Sequence, residues 1–436
     1  MIAQQIIFIA VFIAATLLFV KKIRKLKKNI LLGRKEPLSK STAQRWRNVI
    51  LLALGQKKMF RNPLVAMLHL VIYAGFIIIN IEVVEIIADG IMGTHRIFSS
   101  YVESIYTLLI SSFEILAVGV IAVCIIFLLR RNMIRLKRLT SKELTGWPKS
   151  DANYILITEI VLMMLLLTMN TSDQLLQTRG HAHYLTINHF IISSLLTPLL
   201  SPLHTNTLFI LERSAWWVHI VGILAFLNYL PYSKHLHIIL AFPNAYYMPL
   251  KPKGIINNMP DVQKEVLYAM QPEQAPTTTE TTAHHKFGAK DVADLSWKNL
   301  LDAYSCTECG RCTAACPANI TGKKLSPRKI MMDTRDRLEE VGKNISKNGS
   351  FIEDNKSLLR NYITEEELQA CTTCQACVQE CPVNINPLSI IIQLRRYLVM
   401  EESSAPLEWS TMFSNIENNF APWKFSPDDR DKWTKT

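Results

Sequence analysis

No glycine-rich turn of the kind that cradles a flavin or a nicotinamide dinucleotide occurs in this sequence, so chemistry of that class must come from another polypeptide. Cysteine is nearly absent outside two short runs. Eight of nine lie in those runs, and the ninth, Cys124, stands alone in an apolar stretch, which excludes a disulfide framework and indicates metal ligation in a reducing compartment. Long apolar runs are missing after about residue 245, where Pro, Thr and charge take over, so two physically different halves share the chain. Acidic residues are outnumbered 36 to 48 by basic ones, for a net charge of +12. That excess does not mark a nucleic-acid binder, because it crowds beside the apolar runs, as in Lys21 to Lys28 and Arg130 to Arg138, where membrane-flanking charge belongs.

What is present begins with five stretches near Ile2 to Val20, Leu64 to Ala88, Ile105 to Leu129, Tyr154 to Thr171 and Ala215 to Ala241. Each approaches the roughly 20 apolar residues that cross a bilayer. In the first, the positive charges follow the apolar run, which reads as a reverse anchor rather than a signal peptide. Lys21 to Arg61 carries 14 basic residues and Arg130 to Lys149 carries 7, against one in Asp89 to Val102 and two in Asn170 to Arg213. The rich loops mark the cytoplasmic side. The N-terminus is therefore expected outside, with everything after about Ala241 cytoplasmic, in a multi-pass protein of a bacterial cytoplasmic membrane. The apolar piece Ile187 to Leu200, broken by Pro198, is too short to span and is expected at the outer interface, either roofing a quinone pocket or packed between two spans.

Ionisable side chains inside a bilayer are costly and each is a functional candidate. His69 falls near the cytoplasmic end of the second span. His219 and His237 lie eighteen residues apart in the fifth, about 27 Å along a straight helix and on one face, with Pro231 between them as a possible kink. A b-type haem takes one neutral imidazole from each side, and at matching depth the ligands are His69 and His237. His219 would serve a second haem, although only Asn80 and Glu82 stand at its depth in the second span; the alternative for each histidine is an interhelical hydrogen bond. His235 rivals His237 but points to another helix face. Glu114 in the third span is a candidate proton relay for quinone chemistry, the alternative being a pairing with a polar neighbour. Cys124 reads as core.

The cysteine runs, Cys306 to Cys316 and Cys371 to Cys381, are both CxxCxxCxxxCP. In two-cluster ferredoxins the last cysteine of each run ligates the other cluster. One [4Fe-4S] cluster is thus assigned to Cys306, Cys309, Cys312 and Cys381, and the second to Cys371, Cys374, Cys377 and Cys316. Structural zinc sites use paired cysteines instead. The 54 residues between the runs predict a helix from Pro327 and another after the capping box of Thr364 and Glu367, and Pro387 to Met400 predicts a third. Arg311, Arg328, Lys329, Arg395 and Arg396 could raise cluster potentials or face an acidic partner, with solvated helix faces as the simpler reading. Lys251 to Lys290 reads as a tether, with His284 and His285 as solvated linker residues, and Trp409, Trp423 and Trp433 mark a tail that orders on a partner or on the cysteine module.

Residues Ile2 to Pro243 resemble the cytochrome b (gamma) subunit of respiratory nitrate reductase and the membrane subunit of heterodisulfide reductase, which implies paired histidines of the second and fifth spans holding two b haems and quinol oxidation near the outer one. The sequence departs from that pattern at Ile79, where the second span's other histidine belongs. Trp297 to Met400 resembles the α-helical ferredoxin subunit of heterodisulfide reductase and the iron-sulfur subunit of succinate dehydrogenase. The cysteine-rich repeat used for disulfide chemistry in the heterodisulfide reductase family is absent. An all-α fold is therefore expected: a five-helix transmembrane cytochrome b-like domain (1–245), a linker (246–295), an α-helical ferredoxin domain (296–400) and a tail (401–436). The expected function is electron transfer between a membrane quinone, haem b and two [4Fe-4S] clusters, with a soluble heterodisulfide reductase-like or flavoprotein subunit as partner. The alternative is a haem-free, membrane-anchored ferredoxin.

Overall fold

The structure is a computed structural model that describes residues 2–37, 41–184, 187, 190–275, 286–429 and 431–435. Among these the chain is helix and turn with two isolated bridge pairs and no strand. Five helices are long and apolar enough to cross a membrane, Ile2–Ile30, Pro63–Met92, Ile105–Asn132, Trp147–Thr178 and Thr205–Tyr232, referred to below as the first to fifth spans. Pro63 and Pro148 sit in the first turns of their helices, where a missing N–H costs nothing. Gly93 ends the second span at φ +71, its N–H bonding the carbonyl of Asp89 at 2.8 Å, the left-handed cap that glycine adopts without strain.

The fourth span packs against the third and fifth, the second against the third, and the first against the second and fifth. Phe8, Ile79, Phe113, Cys124, Leu166 and Ile220 form their common core. Outward, Ile6, Leu17, Leu64, Leu108 and Met164 remain exposed, as helices bathed in lipid require, because their backbone is already satisfied internally. The first helix runs 29 residues, about 44 Å at 1.5 Å per residue, so it continues through the basic run beyond the apolar core.

Because the spans alternate in direction, the basic loops gather at one end of the bundle, and the C-terminal module sits on that end. Asn29 Nδ2 donates to the Tyr304 hydroxyl at 2.9 Å, Lys58 Nζ to the Cys381 carbonyl at 3.1 Å, and Arg328 Nη1 to the Arg138 carbonyl at 2.6 Å. Arg34 exchanges backbone bonds with Leu295 and Trp297 at 2.7 and 3.0 Å. A single apolar core continues across this junction: Leu26, Leu230 and Leu236 from the bundle pack with Leu300, Ile330, Leu338, Ile390 and Leu394. Full burial of such side chains contributes roughly 1.5–3 kcal/mol each, so the three bundle leucines alone fasten the module firmly.

The helices expected between and after the cysteine runs form at Pro327–Asn348, Glu365–Gln369 and Pro387–Met400, and Thr364 with Glu367 makes a reciprocal capping box. Three expectations change. The sequence places the fifth span at Ala215 to Ala241, but the helix ends near Tyr229. Pro231 lacks an N–H, Ser233 is extended at φ −116, and His237 begins a separate helix, His237–Tyr246. His219 and His237 therefore do not share one helix face. The tether also ends early: Ala289, Val292 and Leu295 are fully buried in the module core, and Pro260–Met270 is a helix, while His284 and His285 lie outside the described residues. Finally, the tail forms a helix, Leu407–Asn419, with no buried residue, and Trp423 and Trp433 are exposed.

Candidate metal centres

Both cysteine runs fold into the same loop. Glu308 and Thr373, each two residues after the first cysteine of its run, have φ +53 and +56; Gly310 and Gln375, each just after the second, have φ +73 and +61. Two left-handed residues bend each CxxCxxC segment around a point, so its three thiols face inward. At Gly310 no side chain is tolerated for a second reason: a Cβ would lie 2.4 Å from Arg328 Nη1 and 2.9 Å from the Arg138 carbonyl.

The last cysteine of each run belongs spatially to the other. Cys306, Cys309, Cys312 and Cys381 line one cavity with Met331 and Ile385. Burial pushes the Cys306 thiol up to about 12, with Glu308, Cys381 and Cys309 adding to it. Burial first, then Cys309, Cys306 and Cys381, raises Cys312 well above its ordinary value. Around the second run, burial followed by Cys371, Cys316 and Cys374 lifts Cys377 to about 12, and Cys371 is raised by burial with Cys316 and Cys374 contributing. Buried thiolates crowded in this way repel one another, and a cationic iron core between them removes the penalty. Four thiolates in each set are the donors that a [4Fe-4S] cluster takes. Amide dipoles also point at sulfur: Ile385 N donates to Cys381 Sγ at 3.3 Å and Thr373 N to Cys371 Sγ at 3.4 Å.

Charged residues clamp these loops to the bundle. Glu308 pairs with Lys234 and with Arg335 at 2.8 Å; burial alone would raise its carboxyl, but the two cations outweigh it and hold it below the ordinary range. Lys58 Nζ, in the turn before the second span, also reaches the Val378 carbonyl at 3.3 Å, and Arg61 pairs with Glu380. The helix His237–Tyr246 joins through fully buried Asn244, which donates to the Val383 carbonyl at 2.7 Å and accepts from Lys298 at 2.9 Å.

His69, His235 and His237 gather at this same end. The rings of His235 and His237 are 5.5 Å apart, so the turn after the fifth span brings together two histidines that a straight helix would separate. His69 Nδ1 lies 3.1 Å from Gln56 Oε1 and His237 Nδ1 lies 3.0 Å from the Lys234 carbonyl. A partner that orients Nδ1 and leaves Nε2 open is the usual support of a metal-binding imidazole, and burial lowers the His237 pKa so that its ring is neutral. Neutral imidazoles of this kind are the donors that a b haem takes. His219 is fully buried in the fifth span with neither ring nitrogen hydrogen-bonded, and Ile79 of the second span is buried as well.

Residues 305–385 match the family model described as a 4Fe-4S dicluster domain. The chain carries a dicluster iron-sulfur domain. Over 99% of its length it is 29% identical to the probable iron-sulfur-binding oxidoreductase FadF of Bacillus subtilis, covering 61% of that protein. Over 49% it is 29% identical to the EtfAB:quinone oxidoreductase of Syntrophomonas wolfei, covering 30% of it. One component of the ferredoxin/F(420)H(2)-dependent CoB-CoM heterodisulfide reductase of Methanosarcina acetivorans is 33% identical over 24% of this chain and 52% of its own length. The chain thus spans less than two thirds of the length of these relatives. No solved structure matches.

Several residues that hold the dicluster domain in place are not evident from the sequence. Arg328 and Arg395 read there as solvated, yet Arg328 is buried against Glu143, and Arg395 donates to the Leu368 and Cys371 carbonyls at 2.9 and 2.6 Å. Lys329 reaches the Tyr362 carbonyl at 2.8 Å, Arg311 the Lys58 carbonyl at 3.4 Å and Arg396 the Asn257 carbonyl at 2.5 Å. Each partner is distant in sequence, so no local pattern announces it.

At the far end of the bundle Glu114 accepts from Ile192 N and Ser193 N at 2.9 and 3.0 Å, from Asn170 Nδ2 at 3.3 Å and from the Ser193 hydroxyl. It anchors the start of the helix Ile191–Leu200, as an anion does at a helix N-terminus. Arg96, bonded to Asp173, Asn170 at 2.8 Å and Tyr106 at 3.1 Å, neutralises that polar interior. Among the described residues, Glu82 is a buried carboxyl group whose oxygens have no hydrogen-bond partner.

Proposed function

We propose that this chain conducts electrons between a membrane quinone and a soluble redox protein. Cys306, Cys309, Cys312 and Cys381 would hold one [4Fe-4S] cluster, and Cys371, Cys374, Cys377 and Cys316 the other; His69 and His237 would hold a b haem beside them. These groups supply one-electron carriers when bound. The protein's own part is to position and insulate them. Lys58 and Asn244 fix the segments bearing His69 and His237 onto the carbonyls of Cys381, Val378 and Val383, so that haem and cluster ligands form one rigid block. That junction is the observation that carries the reading, because a helix bundle serving only as an anchor does not need open, oriented imidazoles at its contact with the clusters. The quinone and the partner rest on the name of the Syntrophomonas relative and on the absence of a dinucleotide fingerprint here. With basic loops and dicluster domain at one end, that end is assigned to the cytoplasm.

A visible spectrum of the purified protein tests it. Sharp α and Soret bands on reduction, together with reduction of the clusters by quinol, are expected. Clusters with no such bands would instead make the chain a membrane-anchored ferredoxin without haem.

A further inference from the structure

A cavity of about 360 Å³ opens between the segment Met248 to Asn257, the turn leading into the second span, and the dicluster domain. It is within the size range of small-molecule sites. Leu52, Ile255, Leu388 and Ile392 give it an apolar wall, Lys251, Lys253 and Arg396 add cationic groups, and Asn384 also lines it. Asn384 is 5% exposed, and neither its amide nitrogen nor its amide oxygen has a hydrogen-bond partner. Burying both without partners is unfavourable, and an occupant that bonds them removes that penalty.

We propose that this cavity binds the ring of a quinone, with Asn384 bonding one ring oxygen. The proposal rests on the quinone-linked function above and places the site at the cluster end, away from the helix Ile191–Leu200. Three features select a quinone. A flat apolar ring matches the aliphatic walls. Asn384 offers both a donor, for a quinone carbonyl, and an acceptor, for a quinol hydroxyl, so one side chain serves both redox states. The cavity also borders lipid and clusters together. On the adjoining wall, the consecutive helices Thr42–Asn48 and Val49–Leu54 leave Trp46, Ile50 and Leu54 exposed, giving an isoprenoid tail a route to the bilayer. On the other side Gln375 lies between Cys374 and Cys377, and Val378 follows. Lys58 also lines the cavity.

The test uses the full chain in nanodiscs with its clusters, photolabelled by an azido-naphthoquinone carrying a short isoprenoid tail. Label is expected on peptides spanning 248–257 or 383–396. Asn384 has φ +60, so Asn384→Gly removes the amide without backbone strain, and it should reduce labelling about tenfold, the equivalent of one hydrogen bond. Should that variant lose clusters, Ile256→Trp, at an exposed position of the rim, fills the cavity from outside and should reduce labelling as strongly. Label on the far-end peptides around Ile191–Leu200, or labelling that survives both substitutions, would overturn the placement. Displacement of the label by an anionic phospholipid alone, and not by quinone, would make the cavity a lipid site and equally overturn it. If quinol reduces the clusters while the label falls elsewhere, only the placement fails; if quinol and clusters never exchange electrons, the functional reading fails as well.

Discussion

Replacing Arg328 by Met tests how the dicluster domain is locked to the bundle. The Arg328 side chain is 1% exposed. It donates to Glu143 Oε1 at 2.7 Å, to the Arg138 carbonyl at 2.6 Å and to the Ser141 hydroxyl, all in the loop between the third and fourth spans. Methionine fills most of the volume but strands these acceptors; Glu143 keeps the bond from Ser326 Oγ at 2.8 Å. Breaking a buried ion pair from one side costs about 3–5 kcal/mol. Because Glu143 is 15% exposed and water can reach it, about 3 kcal/mol is expected. Glu143→Gln alone should cost about 1.5 kcal/mol, one charge-assisted hydrogen bond. The pair should be non-additive by about 1–2 kcal/mol. Guanidinium titration in detergent, following loss of cluster absorbance, reads each value. Burial would raise the Glu143 carboxyl, but Arg328 outweighs it and holds it below the ordinary range. A depressed folded value means this stabilisation is complete above the unfolded carboxylate pKa of about 4.3 and is lost as pH falls through the folded one, so the acid limb of the stability profile should flatten in Glu143→Gln. Additivity within about 0.4 kcal/mol, or an unchanged acid limb, would refute the clamp.

Cys316→Ser should destroy the cluster held by Cys371, Cys374 and Cys377 and spare the other, halving iron content from about eight to about four per chain; EPR showing loss confined to the first run's cluster would reverse the assignment. His69→Ala and His237→Ala should each abolish the same haem signal while cluster signals persist, and a full haem spectrum in both would remove these ligands from consideration. Reporter fusions after Ser150 and after Pro272 should both behave as cytoplasmic, and export of either would break the five-span orientation.

Much of this protein follows from local pattern. Apolar length specified five spans, because a helix in hydrocarbon satisfies its backbone within one segment of chain. The repeated CxxCxxCxxxCP fixed the loop chemistry, and the capping box at Thr364 needed only residues three apart, so both were readable. Only the tertiary structure decided the rest. Whether the chain continued past Pro231 as one helix depended on the packing of Leu230 and Leu236 against the dicluster domain, and that turn, not helix periodicity, brought His235 beside His237. The same holds for the arginines: a lone Arg328 on a charged background looks solvated until Glu143, 185 positions away, meets it in a desolvated junction. Hydrophobic length and cysteine spacing act within a few turns of chain, whereas buried charge pairs and the cavity at Asn384 exist only where distant segments exclude water together.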